Sequence, residues 1–219
     1  MSAPTSAVPG GLGAILLAGG RASRVDGAVK PLFEVAGRTL LQSAVDAATR
    51  AGARPLTVVG PTLDEALAVS WVREDPPFGG PAAAVVAALS SWSDDDPAWT
   101  LLLACDLPAA GAAVRRLVGD LALLPADADG LCLGDSSSRP QWLTGVYRTR
   151  ALRAAASALP TAGRDAPVRA LMHDLAITVV AAPDALTRDI DTWEDLDEAR
   201  RRSGAGTAAP EARYPEEQT

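Results

Sequence analysis

The sequence predicts a three-layer α/β sandwich built on a mostly parallel β-sheet. Two continuous apolar runs, residues 12–18 (LGAILLA) and 100–105 (TLLLAC), read as strands buried on both faces. Helical patterns alternate with strand patterns along the chain, which makes the helices crossovers on the two sides of a parallel sheet. With 219 residues, 48% hydrophobic and 21% charged, the chain is long and apolar enough to bury such a core.

Each element follows from local chemistry. Residues 1–10 are small, polar and proline-containing, and read as a flexible leader. The first strand, 12–18, ends in Gly19-Gly20. Residues 39–50 have helical spacing, with Thr39 as N-cap and Gly52 just past the end. A second short strand covers 55–60. Thr62 and Glu65 have capping-box spacing, which predicts a short helix there. A third strand covers 71–74, and the alanine-rich stretch 81–92, with Pro81 in its first turn, predicts a helix. After the apolar strand 100–105 comes Asp106-Leu-Pro108, then a helix over 110–123. Strands are expected at 130–133 and 143–147, helices at 149–159 and 168–174, a strand at 176–180 and a last helix from about Thr192 to Arg202. Residues 203–219 (SGAGTAAPEARYPEEQT) read as a disordered tail, which leaves 11–202 as one domain without linker or solenoid repeat.

Composition removes several function classes. A net charge of -7 argues against general nucleic-acid or anionic-membrane binding, and 4% aromatic residues against base-stacking platforms of the kind that bind single strands. Cys105 and Cys132 are too few for a disulfide framework or zinc site. No apolar run approaches a membrane span, and MSAPTSAVPGG lacks both a basic region and an apolar signal core. A reducing, cytoplasmic setting is expected. The single His173, remote from any nucleophile motif, speaks against Ser-His-Asp or Cys-His catalysis and reads as structural.

In sheets of this kind ligands bind beyond the carboxyl ends of the strands, at a topological switch point. Chemistry is therefore sought just after Ala18 and just after Cys105. The first place holds Gly19-Gly-Arg-Ala-Ser-Arg-Val-Asp-Gly-Ala-Val-Lys30. Glycines 19 and 20 let backbone N–H groups approach an oxyanion, and Arg21, Arg24 and Lys30 set three positive charges against Asp26, which suits a triphosphate. Nineteen of the 20 basic residues are arginine, and the only lysine, Lys30, lies in this loop. A compact, mobile ammonium suits a moving phosphate. The loop is neither a P-loop nor a G-x-G-x-x-G turn.

At the second place, Asp106 is positioned to hold Mg²⁺, which takes few protein ligands; an Asp-Leu-Pro turn capping the next helix is the plain alternative. Asp189 and Asp191, two apart, would point the same way in an extended segment and could meet a metal, while Thr192 with Asp195 reads as a helix N-terminus. The segment from Arg73 through Asp75, Gly80 and Pro81 is a long glycine- and proline-rich loop. Its helix entry could cradle a base or a phosphate.

Together these segments resemble the nucleotidyltransferases. Leu17-Ala-Gly-Gly-Arg-Ala-Ser-Arg-Val with Lys30, then Arg73-Glu-Asp75, Gly80-Pro81, Cys105-Asp-Leu-Pro108, Leu143-Thr-Gly-Val-Tyr-Arg148 and Asp189-Ile-Asp-Thr-Trp-Glu-Asp-Leu196 are most similar to the molybdenum cofactor guanylyltransferase group. The resemblance spans about residues 12–202. It implies a Rossmann-like sandwich of nucleotidyltransferase type. It further implies that Leu17, Ala18, Gly19 and Gly20 contact the nucleotide, that Lys30 binds phosphate, that Asp75 helps hold the guanine nucleotide, and that Asp106 coordinates Mg²⁺. Departures from the group include Gly60, where an asparagine is usual, and the late Asp189-x-Asp191, a pattern also found among molybdopterin cytidylyltransferases.

The expected reaction is transfer of GMP from GTP to the phosphate of molybdopterin, with release of pyrophosphate. Mg²⁺ would sit on Asp106 with Asp189 or Asp191, and Lys30, Arg21 and Arg24 would offset phosphate charge. A CTP-using enzyme, another small phosphorylated acceptor, and a non-catalytic nucleotide-binding module are the alternatives. The expected assembly is a monomer or weak homo-oligomer.

Overall fold

A computed structural model describes residues 8–19, 28–93 and 96–204. Among them a seven-stranded sheet carries helices on both faces. The strands are β1 (Leu12–Leu17), β4 (Leu56–Val59), β5 (Ser70–Val72), β6 (Trp99–Ala104), β7 (Gly130–Gly134), β8 (Pro140–Arg148) and β9 (Ile177–Ala181), in the order β5-β4-β1-β6-β8-β7-β9. The pairs β5–β4, β4–β1, β1–β6 and β7–β9 are parallel. Only β8 runs the other way, against β6 and β7. A small hairpin joins β2 (Glu34–Val35) and β3 (Arg38–Thr39).

The strand period of two sets the layers. In β1, Leu12, Ala14 and Leu16 face one core with helices α1 (Leu40–Arg50) and α3 (Ala110–Asp120). Ile15 and Leu17 face the other core, with α2 (Pro81–Ser90) and α4 (Thr149–Ala158). All six residues of β1 are buried, as a doubly covered strand requires. α1 begins as the sequence predicts: Thr39 and Gln42 form a reciprocal capping box, and Gly52 follows the helix with φ +77°.

Several elements differ from expectation. No helix forms after Thr62; Asp64 accepts instead from the Ala66 N–H at 3.0 Å, a local turn that competes with a helix start. The 110–123 helix ends at Asp120 and tightens to a 3₁₀ turn over Leu121–Leu123. The 168–174 helix shrinks to α5 (Arg169–Met172), and the 143–147 strand extends back to Pro140. The β2–β3 hairpin was not expected, because its turn, Ala36-Gly37 at φ +53° and +73°, lacks the usual Asn-Gly signal. Val8, placed by its sequence in the leader, is buried in the α1/α3 core. Leader residues 1–7 and tail residues 205–219 lie outside the described residues.

A third, small core packs residues 190–199 onto the start of α1 and the segment 33–35. Leu40, Ile190 and Leu196 are buried together, with Phe33, Val35 and Ala199 packed on them. Leu196 and Ala199 belong to α6 (Trp193–Arg202), whose N-terminus is capped by Thr192 with Asp195, as its sequence predicts. Phe33 also packs against Trp193, with ring centroids 5.1 Å apart.

Candidate active site

From β1 the chain runs outward to β4 and β5, then returns to the other side of β1 as β6. The strand order therefore switches between β1 and β6. At the carboxyl ends of these four strands opens a cleft of about 230 Å³. Its lining is Leu17, Ala18 and Gly19 after β1, Gly60 and Pro61 after β4, Arg73, Glu74 and Phe78 after β5, Cys105 and Asp106 after β6, and residues 28–31.

Backbone hydrogen bonds hold these strand ends together. The Cys105 N–H donates to Leu17 O at 3.0 Å, Ala18 N–H to Val59 O at 2.9 Å, and Gly60 N–H to Val72 O at 2.9 Å. Gly60 is required by space: its φ is +149°, and a Cβ there would lie 3.2 Å from Ala18 C and Gly19 N.

Lys30 opens a 3₁₀ turn, Lys30–Leu32, stiffened by Pro31. Its side chain is only 15% exposed, and its Nζ lies 2.5 Å from Asp191 Oδ1. Asp191 reaches this place because its neighbour Ile190 is buried in the third core, which turns residues 189 and 191 away from it. The Ile190 N–H donates to the Asp106 carbonyl at 3.0 Å, so the late acidic segment is stitched directly to the end of β6.

Asp106 is the electrostatic focus. Its Oδ1 is buried and has no hydrogen-bond donor among the described residues. Burial, then the charge of Asp189, push its carboxyl up from 3.8 to about 6, with Lys30 opposing. Desolvation, then Asp191, raise the Asp189 carboxyl as well. Burial and mutual repulsion thus raise the Asp106 and Asp189 carboxyls beside Lys30, and among the described residues one buried Asp106 oxygen lacks a partner. A divalent cation would relieve both conditions. Among the described residues no three acidic, histidine or cysteine side chains form a ready-made metal cage. That suits Mg²⁺, which is commonly held by one or two carboxylates together with substrate phosphates.

The structure thus brings Leu17, Ala18, Gly19, Lys30 and Asp106 to one cleft, with Asp189 and Asp191 interacting at the Asp106 end. Gly20, Arg21 and Arg24 lie outside the described residues. Asp75 and Gly80 lie in the loop after β5 and Pro81 is the first residue of α2, which Gly80 caps at φ +91°; the three do not line the cleft. The sequence reading missed Pro61 and Phe78; their signals were a glycine-proline break after an apolar strand and a lone aromatic in a glycine-proline loop. Cys105 lines the cleft as an apolar group, since burial, then Asp106, push its thiol well up and keep it protonated. His173 is exposed at the end of α5, beside Asp174.

Known proteins share this architecture. Residues 14–179 match the MobA-like NTP transferase domain. The chain is 31% identical over 209 residues to a probable molybdenum cofactor guanylyltransferase of Opitutus terrae, covering 92% of this chain and 99% of that protein. A nucleotidyl transferase from Methanothermobacter superposes with a TM-score of 0.66 at 21% identity, over 90% of this chain and 99% of its own. Rv0371c of Mycobacterium tuberculosis superposes with a TM-score of 0.64 at 21% identity, over 87% and 98%. The same protein, solved as a complex with manganese, superposes at 0.59 with 20% identity, over 87% and 97%. The matched domain runs from β1 into β9, the same stretch that contributes the four strand ends around the cleft, and the chain therefore belongs to the MobA-like NTP transferase family.

Proposed function

We propose that this chain is a Mg²⁺-dependent nucleotidyltransferase that transfers GMP from GTP to the phosphate of molybdopterin, releasing pyrophosphate. The observation that carries the reading is the meeting of Lys30 and Asp106 in one cleft at the switch point between β1 and β6. An acceptor phosphate oxygen attacks the α-phosphorus in line; the bond from that phosphorus to the α,β-bridging oxygen breaks, and pyrophosphate leaves with the electron pair. The nucleophile is already an anion, so no general base is needed, in keeping with a lone, exposed His173.

The protein's task is positioning and charge neutralisation. Lys30 offsets phosphate charge, exchanging its contact with Asp191 for a phosphate oxygen. Arg21 and Arg24 share that task. Backbone groups at Leu17, Ala18, Gly19 and Gly20 receive the nucleotide, Asp75 helps hold the guanine nucleotide, and Gly80 and Pro81 shape the entry to α2. Asp106, with Asp189 or Asp191, would hold Mg²⁺. The bound metal supplies charge for drawing the reacting phosphates together. The setting is cytoplasmic. Among the described residues, no helix is long and apolar enough to cross a membrane.

The test is a thermal-shift panel of GTP, CTP, ATP and UTP with and without Mg²⁺, followed by pyrophosphate release with molybdopterin. Mg²⁺-dependent stabilisation by GTP, and pyrophosphate formed only with molybdopterin, are expected. Selective stabilisation by CTP would make the chain a cytidylyltransferase. Nucleotide binding without pyrophosphate under any acceptor would reduce it to a binding module.

A further inference from the structure

We propose that Trp193 is a positioning residue: through its ring contact with Phe33 it fixes the turn that carries Lys30, and so places the ammonium in the cleft. The proposal rests on the nucleotidyltransferase reading, which makes Lys30 a phosphate ligand, and adds to it a residue outside the cleft wall.

A lysine ammonium sits at the end of a flexible four-carbon stem, so its place depends on how firmly the backbone beneath it is held. Here that backbone is a 3₁₀ turn. The Leu32 N–H donates to Val29 O at 2.9 Å and the Phe33 N–H to Lys30 O at 2.9 Å. The Phe33 carbonyl in turn accepts from the N–H of Leu40, the first residue of α1, at 3.0 Å. Lys30 and Phe33 are therefore the two ends of one short, stiff unit, with Pro31 between them.

A second stiff unit meets it. At the cap of α6 the Asp195 carboxylate accepts from the Asp191 N–H at 3.2 Å, the Thr192 N–H at 2.9 Å and the Thr192 hydroxyl at 2.8 Å. Asp191 and Trp193 flank that cap. The two units touch at two points. Asp191 Oδ1 lies 2.5 Å from Lys30 Nζ, and the ring centroids of Trp193 and Phe33 lie 5.1 Å apart with their planes tilted by 34°.

The two points are not equivalent. The Asp191 side chain is 40% exposed, and an ion pair so open to water contributes little by itself. It also breaks when a phosphate takes the ammonium. The ring contact does not depend on which anion Lys30 holds, so it keeps the turn in place through the exchange. It also accounts for a tryptophan at the first position of α6, 44% exposed. Capping there is performed by Thr192 and Asp195, and the indole takes no part in it.

Lys30 is the only lysine of the chain, so protein made with ¹³C-labelled lysine carries a single reporter. The experiment follows its ε-methylene signal by NMR, without nucleotide, in wild type, Trp193→Ala and Trp193→Phe. Titration calorimetry with GTP and with CTP, both with Mg²⁺, is run on the same proteins and on Lys30→Gln with and without Trp193→Ala. The alanine variant should move the Lys30 signal toward that of free lysine and weaken nucleotide binding by about 2- to 10-fold, since a clamp transmits no more than its own aromatic contact supplies. Trp193→Phe should restore both readings. In the Lys30→Gln background the same truncation should leave affinity unchanged. An unmoved Lys30 signal, or wild-type affinity, in Trp193→Ala overturns the proposal. So does an equal loss of affinity in both backgrounds, which would mark a structural role for α6 that bypasses Lys30. Wild-type protein that binds neither nucleotide overturns the nucleotidyltransferase reading itself, while the Lys30 signal still decides whether Trp193 holds the turn.

Discussion

The ammonium of Lys30 lies 2.5 Å from Asp191 Oδ1, although 161 residues separate them in the chain. The contact exists because Ile190 and Leu196 pack on Leu40, Phe33 and Val35, so the end of the chain folds over the segment that follows Lys30. One small apolar cluster thus places Asp191 against Lys30.

That dependence is measurable. Ile190→Ala should cost about 2–5 kcal/mol of stability, the usual range for truncating a fully buried aliphatic side chain. Urea unfolding gives the loss. Nucleotide affinity should fall as well, because Asp189 and Asp191 lose the anchor between them. A variant that is less stable but binds nucleotide normally would separate the third core from the site.

Asp106→Ala should lower kcat/KM by about 100- to 1000-fold, the effect of removing one electrostatic group from a preorganised site. Steady-state pyrophosphate release is the assay. Comparable turnover by the variant would remove Asp106 from the mechanism.

Asp106 also makes a pH prediction. The free carboxyl titrates near 3.8 and the folded one near 6, so the folded state holds the Asp106 proton more tightly than the unfolded state does. In the presence of chelator, this group's contribution to stability is therefore greatest at low pH. It is lost as pH rises from about 4 through about 6, by about 3 kcal/mol. Asp106→Asn does not titrate there. Urea unfolding across that pH range should show the variant gaining on wild type as pH rises and exceeding it in stability above neutrality. Saturating Mg²⁺ with GTP should reverse the order.

Lys30→Gln should reduce kcat/KM by about 100- to 1000-fold, on the same ground as Asp106. Lys30→Arg should not restore it. A planar guanidinium is bulkier than the ammonium in this largely buried position and cannot act as a mobile point charge. Unchanged kinetics in Lys30→Arg would discard the point-charge argument.

Gly60→Ala should destabilise by about 1–3 kcal/mol through backbone strain, and should weaken nucleotide binding. The added Cβ meets the backbone of Ala18 and Gly19 at 3.2 Å, which cannot move aside without disturbing the cleft wall. Thermal melts with and without GTP and Mg²⁺ separate the two effects.

Much of this was written locally. The apolar runs at 12–18 and 100–105 determined two central strands, because only a strand covered on both faces needs no polar side. Capping signals at Thr39 and Thr192 determined where two helices start, because a cap is a contact between residues three apart. The positions of Lys30 and Asp106 after their apolar runs followed from the rule that parallel sheets bind at carboxyl ends. What only the tertiary structure decided involves partners distant in sequence. These include the Lys30–Asp191 pair, the Ile190 bond to the Asp106 carbonyl, the buried Asp106 oxygen that has no partner among the described residues, and the exposure of Phe78. Burial, charge coupling and the facing of loops depend on which strands become neighbours. No spacing along the chain encodes that order directly; it emerges when the sheet and its two covering layers pack.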